Sequence, residues 1–541
     1  MKNDIIRKLW QKGYILSADA LEFLSKNTID SDNLIKKLEE RSTTIITKEI
    51  LEEILQIEEK NNLQKANGAS ILKFIKKEEF LEDIQFKTIK EERKEENKKE
   101  VIILERVKRS IGEEIETDVE IIKNYKIHKI DINVDVWVSY YRNRLSKMKR
   151  FLKNHLEITH FYSLDQLDSD ERDITIVGII RDKKIREKGV IFLLEDSKKM
   201  IKVFAPSDIE EYDLVKSIPL DSVIAFTGNY YESKEIFIAE KVYYPDIPYK
   251  EQKKVEDDVW IAFTGDLQVG SKFFLEEAFL RFLKWLKGEY GNEKQKELAK
   301  KIGYIIFTGD MVDGVGVYPG QEDELVIKTV DGQYSKLQEL LLEIPENIKI
   351  IIIPGNHDIV RLAEPQPPIP SDMLPELYKL ENFYFLSNPS YVRIHKAIDI
   401  LIYHGYSMDW FVSEIPYIRE NGGYEKPENI MKFMLMLRHL APTHGATPYI
   451  PYPDEDPLII DPVPDIFVTG HIHRAINKHT NYNYKGVDLI NASCFQDITP
   501  YQIELGHKPD PGKVVLKNLK TGAIKILNFL SEGLSNENIK R

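Results

Sequence analysis

The sequence predicts a multidomain protein of the α+β class, and three observations lead to this prediction. The chain has 541 residues, which is too long for a single hydrophobic core, so about three domains are expected. Short β-rich runs crowd between about residues 150 and 247, and strands alternate with helices from about residue 255 onward. Helical spacing of apolar residues prevails near the start of the chain.

The composition excludes several classes of protein. The formal net charge is −13, so the overall field of the chain does not attract nucleic acid, and any DNA contact must come from local basic patches, metal ions or a partner. The single cysteine, Cys494, excludes an internal disulfide framework and a cysteine-based zinc site. The N-terminus lacks the apolar stretch of a signal peptide, and no apolar run is long enough to span a membrane. We therefore expect a cytoplasmic protein without a membrane partner.

The first element is a predicted helical module over residues 1–75. Apolar residues recur at helical spacing in several short segments, and Ser17, Ser31 and Thr47 stand where helix caps are expected. Four short helices suit a docking module.

Two segments are predicted to lie outside packed domains. Residues 76–130 include the almost wholly charged run Lys90–Glu100, which has no apolar face and is typical of a flexible linker. Residues 531–541 follow the last apolar run and are polar, which favours a disordered tail.

The next domain, residues 131–250, is predicted to be a small barrel of the OB-fold type. Five short β-rich runs separated by turn signals fall within about 70 residues. OB-folds often bind single-stranded nucleic acid through aromatic and basic side chains. Here a basic run contains Arg181, Lys183, Lys184, Arg186 and Lys188, but Asp182 and Glu187 interrupt it. A barrel that mediates subunit contacts is therefore at least as well favoured as one that binds DNA. The five runs are DITIVGIIR (Asp173–Arg181), VIFLLE (Val190–Glu195), MIKVF (Met200–Phe204), SVIAFTGN (Ser222–Asn229) and EIFIAEK (Glu235–Lys241).

The largest domain is predicted over residues 251–530. Val259–Thr264, Tyr304–Thr308 and Ile348–Ile353 have the apolar character of buried strands, and Leu275–Glu289 has the spacing of an amphipathic helix. This alternation is typical of an α/β domain.

Five short motifs follow apolar runs in this domain, where strands end and loops begin. Folds that alternate strands and helices place their chemistry at such positions. The motifs are GDLQ (Gly265–Gln268), GDMVD (Gly309–Asp313), PGNHD (Pro354–Asp358), YHG (Tyr403–Gly405) and GHIH (Gly470–His473).

The motifs contain the donor set of a two-metal site. Carboxylate and amide oxygens suit hard divalent cations, and imidazole suits Mn, Fe and Zn. Two metals can activate a water molecule and stabilise the charge that develops on a phosphate. One Gly-Asp or Gly-His pair would mean nothing, but five such motifs in order predict a phosphoesterase site. The candidate ligands are Asp266, Gln268, Asp310, Asn356, His404, His471 and His473.

These motifs resemble those of the calcineurin-like metallophosphoesterases, which implies a β-sandwich flanked by helices. Four surrounding segments are similar to the small subunit of archaeal family D DNA polymerase, and so is the order of the modules. The resemblance is sharp over about residues 150–525. The segments are VDGVGVYPGQEDEL (Val312–Leu325), LRHLAPTHG (Leu437–Gly445), VPDIFVTGHIHR (Val463–Arg474) and GHKPDPGKV (Gly506–Val514).

The resemblance implies a role for each motif residue. Asp266, Gln268, Asp310 and His473 would hold one metal, and Asp310 would bridge to a second metal completed by Asn356, His404 and His471. His357 would contact the scissile phosphate and act as the general acid. Asp313 and Asp358 would orient His357 or a ligand.

The resemblance also implies a metal-dependent 3′–5′ exonuclease that removes misincorporated nucleotides. Two divalent ions are expected, and the resemblance to manganese-dependent nucleases implies Mn²⁺, with Fe, Zn or Mg as alternatives. The mixed His, Asp and Asn ligands favour Mn²⁺ over Mg²⁺. The implied partners are a large catalytic subunit, single-stranded or mismatched DNA 3′ ends and, through the complex, a sliding clamp or primase. The sequence identifies no DNA-contacting residue.

Gln268 departs from the family pattern, which has histidine at this position. Glutamine offers a neutral carbonyl oxygen, a weaker donor than imidazole for these metals. Three interpretations stay open: a site with a weaker first metal, a site that fills only at high metal concentration or with bound substrate, and a structural site that has lost activity.

Two other functions compete with the proofreading nuclease. One is a non-catalytic scaffold subunit with a weakened phosphoesterase site. The other is a stand-alone phosphoesterase, which explains poorly why a helical module, a linker and a barrel precede the catalytic domain.

Overall fold

The computed structural model describes residues 15–16, 34, 45–46, 51, 116–126, 131–156, 160–475, 482–504, 508–530 and 535–539. The chain divides into two compact units, Met1–Ile102 and Ile103–Arg541. No helix in the described ranges combines the length and apolar character needed to cross a membrane.

The first unit contains a pair of very short parallel strands, β1 (Ile15–Leu16) and β2 (Ile45–Ile46), which the helical prediction missed. Leu34 and Leu51 are helical and buried. The rest of the predicted helical module, including its capping residues, lies outside the described residues.

The second unit begins with a strand that the linker prediction did not foresee. β3 (Val119–Lys123) pairs antiparallel with residues 390–394, about 270 positions along the chain, so this part of the predicted linker belongs to a sheet. Residues 76–115 and 127–130 of that linker lie outside the described residues. Pairing over such a separation leaves no local signal in the sequence.

A long helix, α1 (Val134–Leu156), occupies the start of the predicted barrel domain. Leu145, Met148 and Leu152 recur on one face and are buried against the barrel. The prediction for this region considered strands only and missed this helix.

Five strands form a closed barrel, which confirms the small β-barrel expected here. They are β4 (Glu171–Arg186), β5 (Gly189–Glu195), β6 (Met200–Pro206), β7 (Val223–Tyr231) and β8 (Ile236–Tyr243), with helix α2 (Tyr212–Val215) between β6 and β7. Their order around the barrel is β4-β5-β6-β8-β7, and β6 pairs with β8 in parallel. Phe192, Phe226 and Phe237 are fully buried and fill the interior.

The remaining strands form two sheets. They are β9 (Trp260–Thr264), β10 (Ile302–Phe307), β11 (Lys349–Ile352), β12 (Phe383–Phe385), β13 (Ser390–Ile394), β14 (Ile398–Tyr403), β15 (Ile466–Thr469), β16 (Asn483–Tyr484), β17 (Val487–Asn491), β18 (Lys513–Asn518), β19 (Ile524–Asn528) and β20 (Ser535–Ile539). One sheet has the order β12-β11-β10-β9-β18-β19-β20, and the other β16-β17-β15-β14-β13-β3. Strands β9 to β12 run parallel, as do β14, β15 and β17.

The helices of this part cover the outer faces of the sheets or connect strands. They are α3 (Glu276–Leu286), α4 (Glu293–Ala299), α5 (Val330–Leu341), α6 (Met408–Glu414), α7 (Pro416–Glu420), α8 (Pro427–Leu437) and α9 (Pro500–Glu504). Short 3-10 turns span Leu164–Gln166, Glu232–Lys234, Gln321–Asp323, Leu377–Lys379 and Gly423–Glu425.

The two sheets pack face to face, with helices outside both. Successive side chains of a strand point to opposite faces, so Ile306 enters the core between the sheets while Ile305 and Phe307 enter the core beneath α3 and α5. On the other sheet, Ile400 faces the inner core and Leu401 the outer core. That outer core also contains the barrel interior, so the barrel and this sheet share one apolar cluster.

A buried ion pair joins α1 to the loop before β15. The Nε of Arg144 donates to Asp456 Oδ2 at 2.7 Å, and both side chains are almost fully buried. Burial alone would raise the pKa of Asp456, but Arg144, His439 and Tyr140 together outweigh it and lower that pKa. Arg144 also donates to the backbone carbonyls of Asp221 and Pro442, so one guanidinium connects the helix, the barrel and the sheets.

The end of the chain also differs from its prediction. β20 pairs antiparallel with β19 along five residues, whereas residues 531–541 were expected to be disordered. Asn and Glu dominate β20, and such residues carry no strand signal.

Candidate functional site

All five motifs lie at the carboxyl ends of parallel strands. Asp266 and Gln268 follow β9, Asp310 follows β10, and Asn356 follows β11 in the seven-stranded sheet. His404 follows β14, and His471 and His473 follow β15 in the six-stranded sheet. Because the two sheets pack face to face, the five loops meet at one edge of the sandwich.

The backbone at this edge is left-handed at five of the seven candidate ligands. The φ angles are 47° at Asp266, 53° at Gln268, 50° at Asp310, 66° at His471 and 57° at His473. This conformation is uncommon outside glycine and clusters at functional sites. The backbone is therefore not extended at Asp266 and Gln268.

Backbone hydrogen bonds to the neighbouring loop set this conformation. The Asp266 and Gln268 N–H groups donate to the carbonyls of Gly309 and Asp310 at 2.8 and 3.1 Å. Both side chains are still directed inward and are almost fully buried.

We call Asn356, His404 and His471 the second group. The ligand atoms of His404, His471 and Asp310 lie within 4.8 Å of one another. The Nδ1–H of His404 donates to the carbonyl of Thr308 at 2.8 Å, which leaves Nε2 facing Asp310 Oδ2 at 3.4 Å and Asn356 Oδ1 at 2.9 Å. Such a bond fixes the imidazole so that Nε2 presents its lone pair to a cation.

We call Asp266, Gln268 and His473 the first group. Asp266 Oδ1 lies 3.3 Å from His473 Nε2. The Gln268 side chain donates from Nε2 to Asp310 Oδ2 at 3.1 Å, and its Oε1 is buried without a hydrogen-bond partner among the described residues. A buried carbonyl oxygen left unpaired costs about 1–3 kcal/mol, which a bound cation would recover.

The charges of the site are balanced between carboxylates and imidazoles. Burial favours the neutral acid, but His404 and His357 outweigh it and hold the pKa of Asp310 well below its usual range. Burial likewise opposes a charged imidazole, yet Asp310 raises the pKa of His404 to about 9. Burial also opposes the charged form of His473, but Cys494 and Asp266 outweigh it and raise its pKa well above the usual value. Cations that bind nitrogen here must displace these protons.

His357 lies beside the shared carboxylate. Its backbone N–H donates to Asp310 Oδ1 at 2.8 Å, and its ring Nε2 is 4.0 Å from Asp310 Oδ2. The ring Nδ1 is 2.8 Å from the carbonyl of Asp313, to which it donates. A Cβ on Gly355 would lie 2.1 Å from Asp310 Oδ1, so the motif needs glycine there for the two loops to approach.

Asp313 and Asp358 support the site from behind. Asp358 accepts from the backbone N–H groups of Gly355 and Met311 and from the hydroxyl of Tyr334. Burial and the charge of Asp310 raise the pKa of Asp358 to about 6. Asp313 orients His357 through its backbone carbonyl, whereas Asp358 ties two ligand loops together.

A cavity of about 250 Å³ opens over this edge and adds residues that the motifs did not include. Asp409 Oδ2 lies 2.9 Å from His471 Nε2, and Gln502 Nε2 lies 3.0 Å from His473 Nδ1. Tyr406 and Asp409 follow the YHG motif within five positions, a signal that could have marked them. The added lining residues are Val317, Tyr318, Tyr406, Asp409, Gln496, Thr499 and Gln502.

The donor set fits divalent cations on two counts. One carboxylate, Asp310, is shared between two clusters of nitrogen and oxygen donors. The unpaired Gln268 oxygen is a buried acceptor in the first group.

Comparison with known proteins defines the class to which this fold and site belong. The profile of the DNA polymerase alpha/epsilon B-subunit family matches residues 261–478, which include all of the candidate ligands. Proteins described as DNA polymerase II small subunits are similar over much more of the chain. That from Archaeoglobus fulgidus is 33% identical over 516 residues, covering 95% of both chains. That from Methanothermobacter thermautotrophicus is 36% identical and covers 72% of this chain and 79% of its own.

The chain belongs to the family of archaeal DNA polymerase II small subunits, the small subunits of family D DNA polymerase. The protein from Pyrococcus abyssi is 38% identical over 75% of this chain, and the match spans 65% of that relative's length. The resemblance inferred from the sequence is thereby confirmed.

Proposed function

We propose that the chain is a proofreading subunit whose two-metal site hydrolyses DNA phosphodiester bonds from the 3′ end. The observation that carries this proposal is the convergence of Asp310, His404 and His471 within 4.8 Å, with His357 beside the same carboxylate. The family assigns the chain to a polymerase, and a nuclease site in such a subunit would remove misincorporated nucleotides.

Each group of ligands has a place in this proposal. The first group and Asp310 would hold one metal, and the second group and Asp310 the other. Mn²⁺ is the proposed ion, with Fe, Zn or Mg as alternatives; imidazole donors beside the carboxylates favour Mn²⁺ over Mg²⁺. When bound, such ions supply an activated water and neutralise phosphate charge.

His357 would donate the proton to the leaving oxygen. The bond from its Nδ1 to the Asp313 carbonyl fixes the ring, and Nε2 faces the shared carboxylate at the cavity. A general acid needs this kind of orientation and contributes about 10²–10⁴-fold to rate.

The architecture agrees with the proposal in two respects. Two packed sheets flanked by helices, with donors at strand ends, support a calcineurin-like phosphoesterase domain. A closed barrel of five strands, with β6 beside β8, supports an OB-fold.

A large catalytic subunit is the proposed principal partner, and the barrel is a candidate docking face. Part of its basic run is used internally: Arg181 pairs with Glu195 and Asp221, and Lys183 donates to the carbonyls of Lys216 and Ile218. This favours subunit contact over DNA binding by these residues. DNA 3′ ends, a sliding clamp or a primase would be reached through the complex, in the cytoplasm.

The test is nuclease activity of the purified full chain, with and without the large subunit. Single-stranded and mismatched DNA, labelled so that loss of the 3′ nucleotide is seen, is incubated with Mn²⁺. We expect stepwise release from the 3′ end, and the exposed-histidine variant His160→Ala serves as the matched control. Release by neither preparation would contradict the proposal.

One observation favours a second candidate, a non-catalytic scaffold. The Gln268 amide donates to Asp310 Oδ2, the oxygen that also faces His404, and so competes with a cation for the shared carboxylate. A scaffold would bind the large subunit normally and release no nucleotide at any Mn²⁺ concentration.

A further inference from the structure

The cavity over the candidate site has the size and lining of a pocket for one nucleotide. Its volume of about 250 Å³ lies just below the range of about 300–1,000 Å³ typical of small-molecule pockets. A duplex end would not enter it, but one extruded or unpaired nucleotide would.

The charge of the cavity lining excludes the usual contacts of lysine and arginine with DNA phosphates. Among the described residues that line the cavity there is no lysine or arginine. Neutralising phosphates with such residues supplies most of the salt-dependent affinity of DNA-binding proteins. Affinity in this cavity must therefore come from stacking, from hydrogen bonds and from the groups at the shared carboxylate.

Two tyrosines supply aromatic surface at the cavity. The Tyr318 ring centroid lies 6.2 Å from that of His357, and the Tyr406 ring centroid lies 5.6 Å from that of His471. The hydroxyl of Tyr318 donates to Glu324 Oε2 at 2.8 Å, which anchors the edge of the ring. Both rings line the cavity next to the residues proposed to act on the phosphate.

The loop that carries Tyr318 is braced by the buried side chain of Gln321. This amide accepts from the N–H of Val317 at 2.8 Å and donates to the carbonyl of Asp313 at 2.7 Å. The same carbonyl accepts from His357, so the aromatic loop and the proposed acid share one anchor. A Cβ on Gly314 would lie 2.5 Å from the carbonyl oxygen of His357, which keeps the loop close to it.

Three further residues of the lining, Gln496, Thr499 and Gln502, are polar but neutral. Thr499 and Gln502 bond to each other at the start of α9, and Gln496 donates to Asp313 Oδ1 at 3.3 Å. Neutral hydrogen-bonding groups of this kind can contact the sugar, the base edge or a phosphate oxygen of a nucleotide.

We propose that this cavity binds the 3′-terminal nucleotide of a single strand, with its unstacked base against Tyr318 and Tyr406. That the ligand is a DNA end rests on the proposed nuclease function. Base–aromatic stacking tolerates any sequence because every base has a π-face, which suits removal of any misincorporated nucleotide. The cavity thus selects unpaired ends by requiring a base that has left its stack.

The test measures binding without turnover. The full chain is titrated with a single-stranded oligonucleotide that has 2-aminopurine at its 3′ end, with Ca²⁺ in place of Mn²⁺, and stacking is read from fluorescence quenching. We expect Tyr318→Ala to weaken binding about 5- to 150-fold and to reduce the quenching. Tyr318→Phe, which keeps the ring, should stay within about twofold of the wild type. Tyr249→Ala, at a residue 79% exposed, is the matched control.

Further arms separate the possible failures. Tyr406→Ala should weaken binding in the same way, and a 3′-terminal abasic residue should bind the wild type as weakly as the natural end binds Tyr318→Ala. Unchanged affinity and quenching in both alanine variants would overturn the proposal. If these variants instead lose the large subunit and keep the oligonucleotide, the surface is a protein interface. Because no cleavage is needed, an inactive nuclease would leave this result unaffected.

Discussion

The first and second groups around Asp310 differ in what they present to the shared carboxylate. In the second group His404 presents an imidazole nitrogen at 3.4 Å, whereas in the first group Gln268 presents an amide N–H at 3.1 Å. The imidazole of His404 can release its proton and offer a nitrogen lone pair to a cation, whereas the amide nitrogen of Gln268 cannot, and a cation must displace it from the carboxylate. Under the proposed two-metal function, a single side chain at position 268 would weaken half of the site while the backbone around it stays unchanged.

The largest expected effect comes from a residue that belongs to neither group. His357→Ala should lower hydrolysis about 10²–10⁴-fold, because a general acid contributes on that scale. Bound Mn²⁺ should be unchanged, as measured by metal analysis after gel filtration. Loss of bound Mn²⁺ in this variant would mean that His357 is a metal ligand, and His357 would then have to be added to one of the two groups.

A second change makes the second group resemble the first. His404→Gln should weaken Mn²⁺ binding about 10- to 100-fold, since even residues that only orient a ligand cost this much. Calorimetric titration with Mn²⁺ measures the loss, and the exposed-histidine variant His444→Gln is the control. Equal Mn²⁺ affinity in His404→Gln and wild type would remove the distinction between the groups.

The reverse change repairs the first group. Gln268→His replaces the amide with an imidazole and should tighten Mn²⁺ binding about tenfold. The nuclease rate should rise at limiting Mn²⁺ and stay nearly constant at saturating Mn²⁺. An unchanged metal dependence would show that Gln268 does not limit the site. In the double variant that combines Gln268→His with His404→Gln, the second group rather than the first should be the one that binds Mn²⁺ more weakly.

The smallest expected effect on activity comes from a change at Glu364, which contacts Tyr403, the residue before His404 of the second group. Glu364 is buried, its Oε2 accepts from the hydroxyl of Tyr403, and burial raises its pKa to about 8. The folded chain therefore keeps this proton between about pH 4.5 and 8 while the unfolded chain loses it. Stability from this group is complete below pH 4.5 and declines as pH rises through 8.

Glu364→Gln should remove that decline and stabilise the fold by a few kcal/mol at about pH 9, since one pKa unit is worth about 1.4 kcal/mol. Urea unfolding at about pH 5.5 and 9 tests this, with the exposed-residue variant Glu420→Gln as the control. The same pH dependence in Glu364→Gln and wild type would assign it to another group.

The sequence predicted the motif positions well because their signal is local. Each motif combines an apolar strand with polar residues directly after it, so Asp310, Asn356 and His404 could be placed at strand ends without a structure. The barrel was also predictable, since five strands and their turns lie within one short stretch.

Other features depend on distant parts of the chain. β3 pairs with a strand about 270 residues away, and Gln502 reaches the site from α9, far along the chain from any motif. The left-handed backbone at Gln268 follows from bonds to the next loop rather than from its own residue type. Periodicity does not encode contacts between distant segments, so short sequence windows do not reveal them.

The shared apolar cluster and the Arg144–Asp456 pair join the barrel firmly to the sheets. Dividing the chain at residue 250 would leave the buried carboxylate of Asp456 without the guanidinium of Arg144. It would also expose an apolar core to which both pieces contribute. Because the barrel and the six-stranded sheet share one core, a protein that binds the barrel would also fix the direction in which the cavity faces. Under the proposed function, the orientation of a partner bound to the barrel, rather than a hinge between the barrel and the sheets, would set the direction from which a DNA end reaches the cavity.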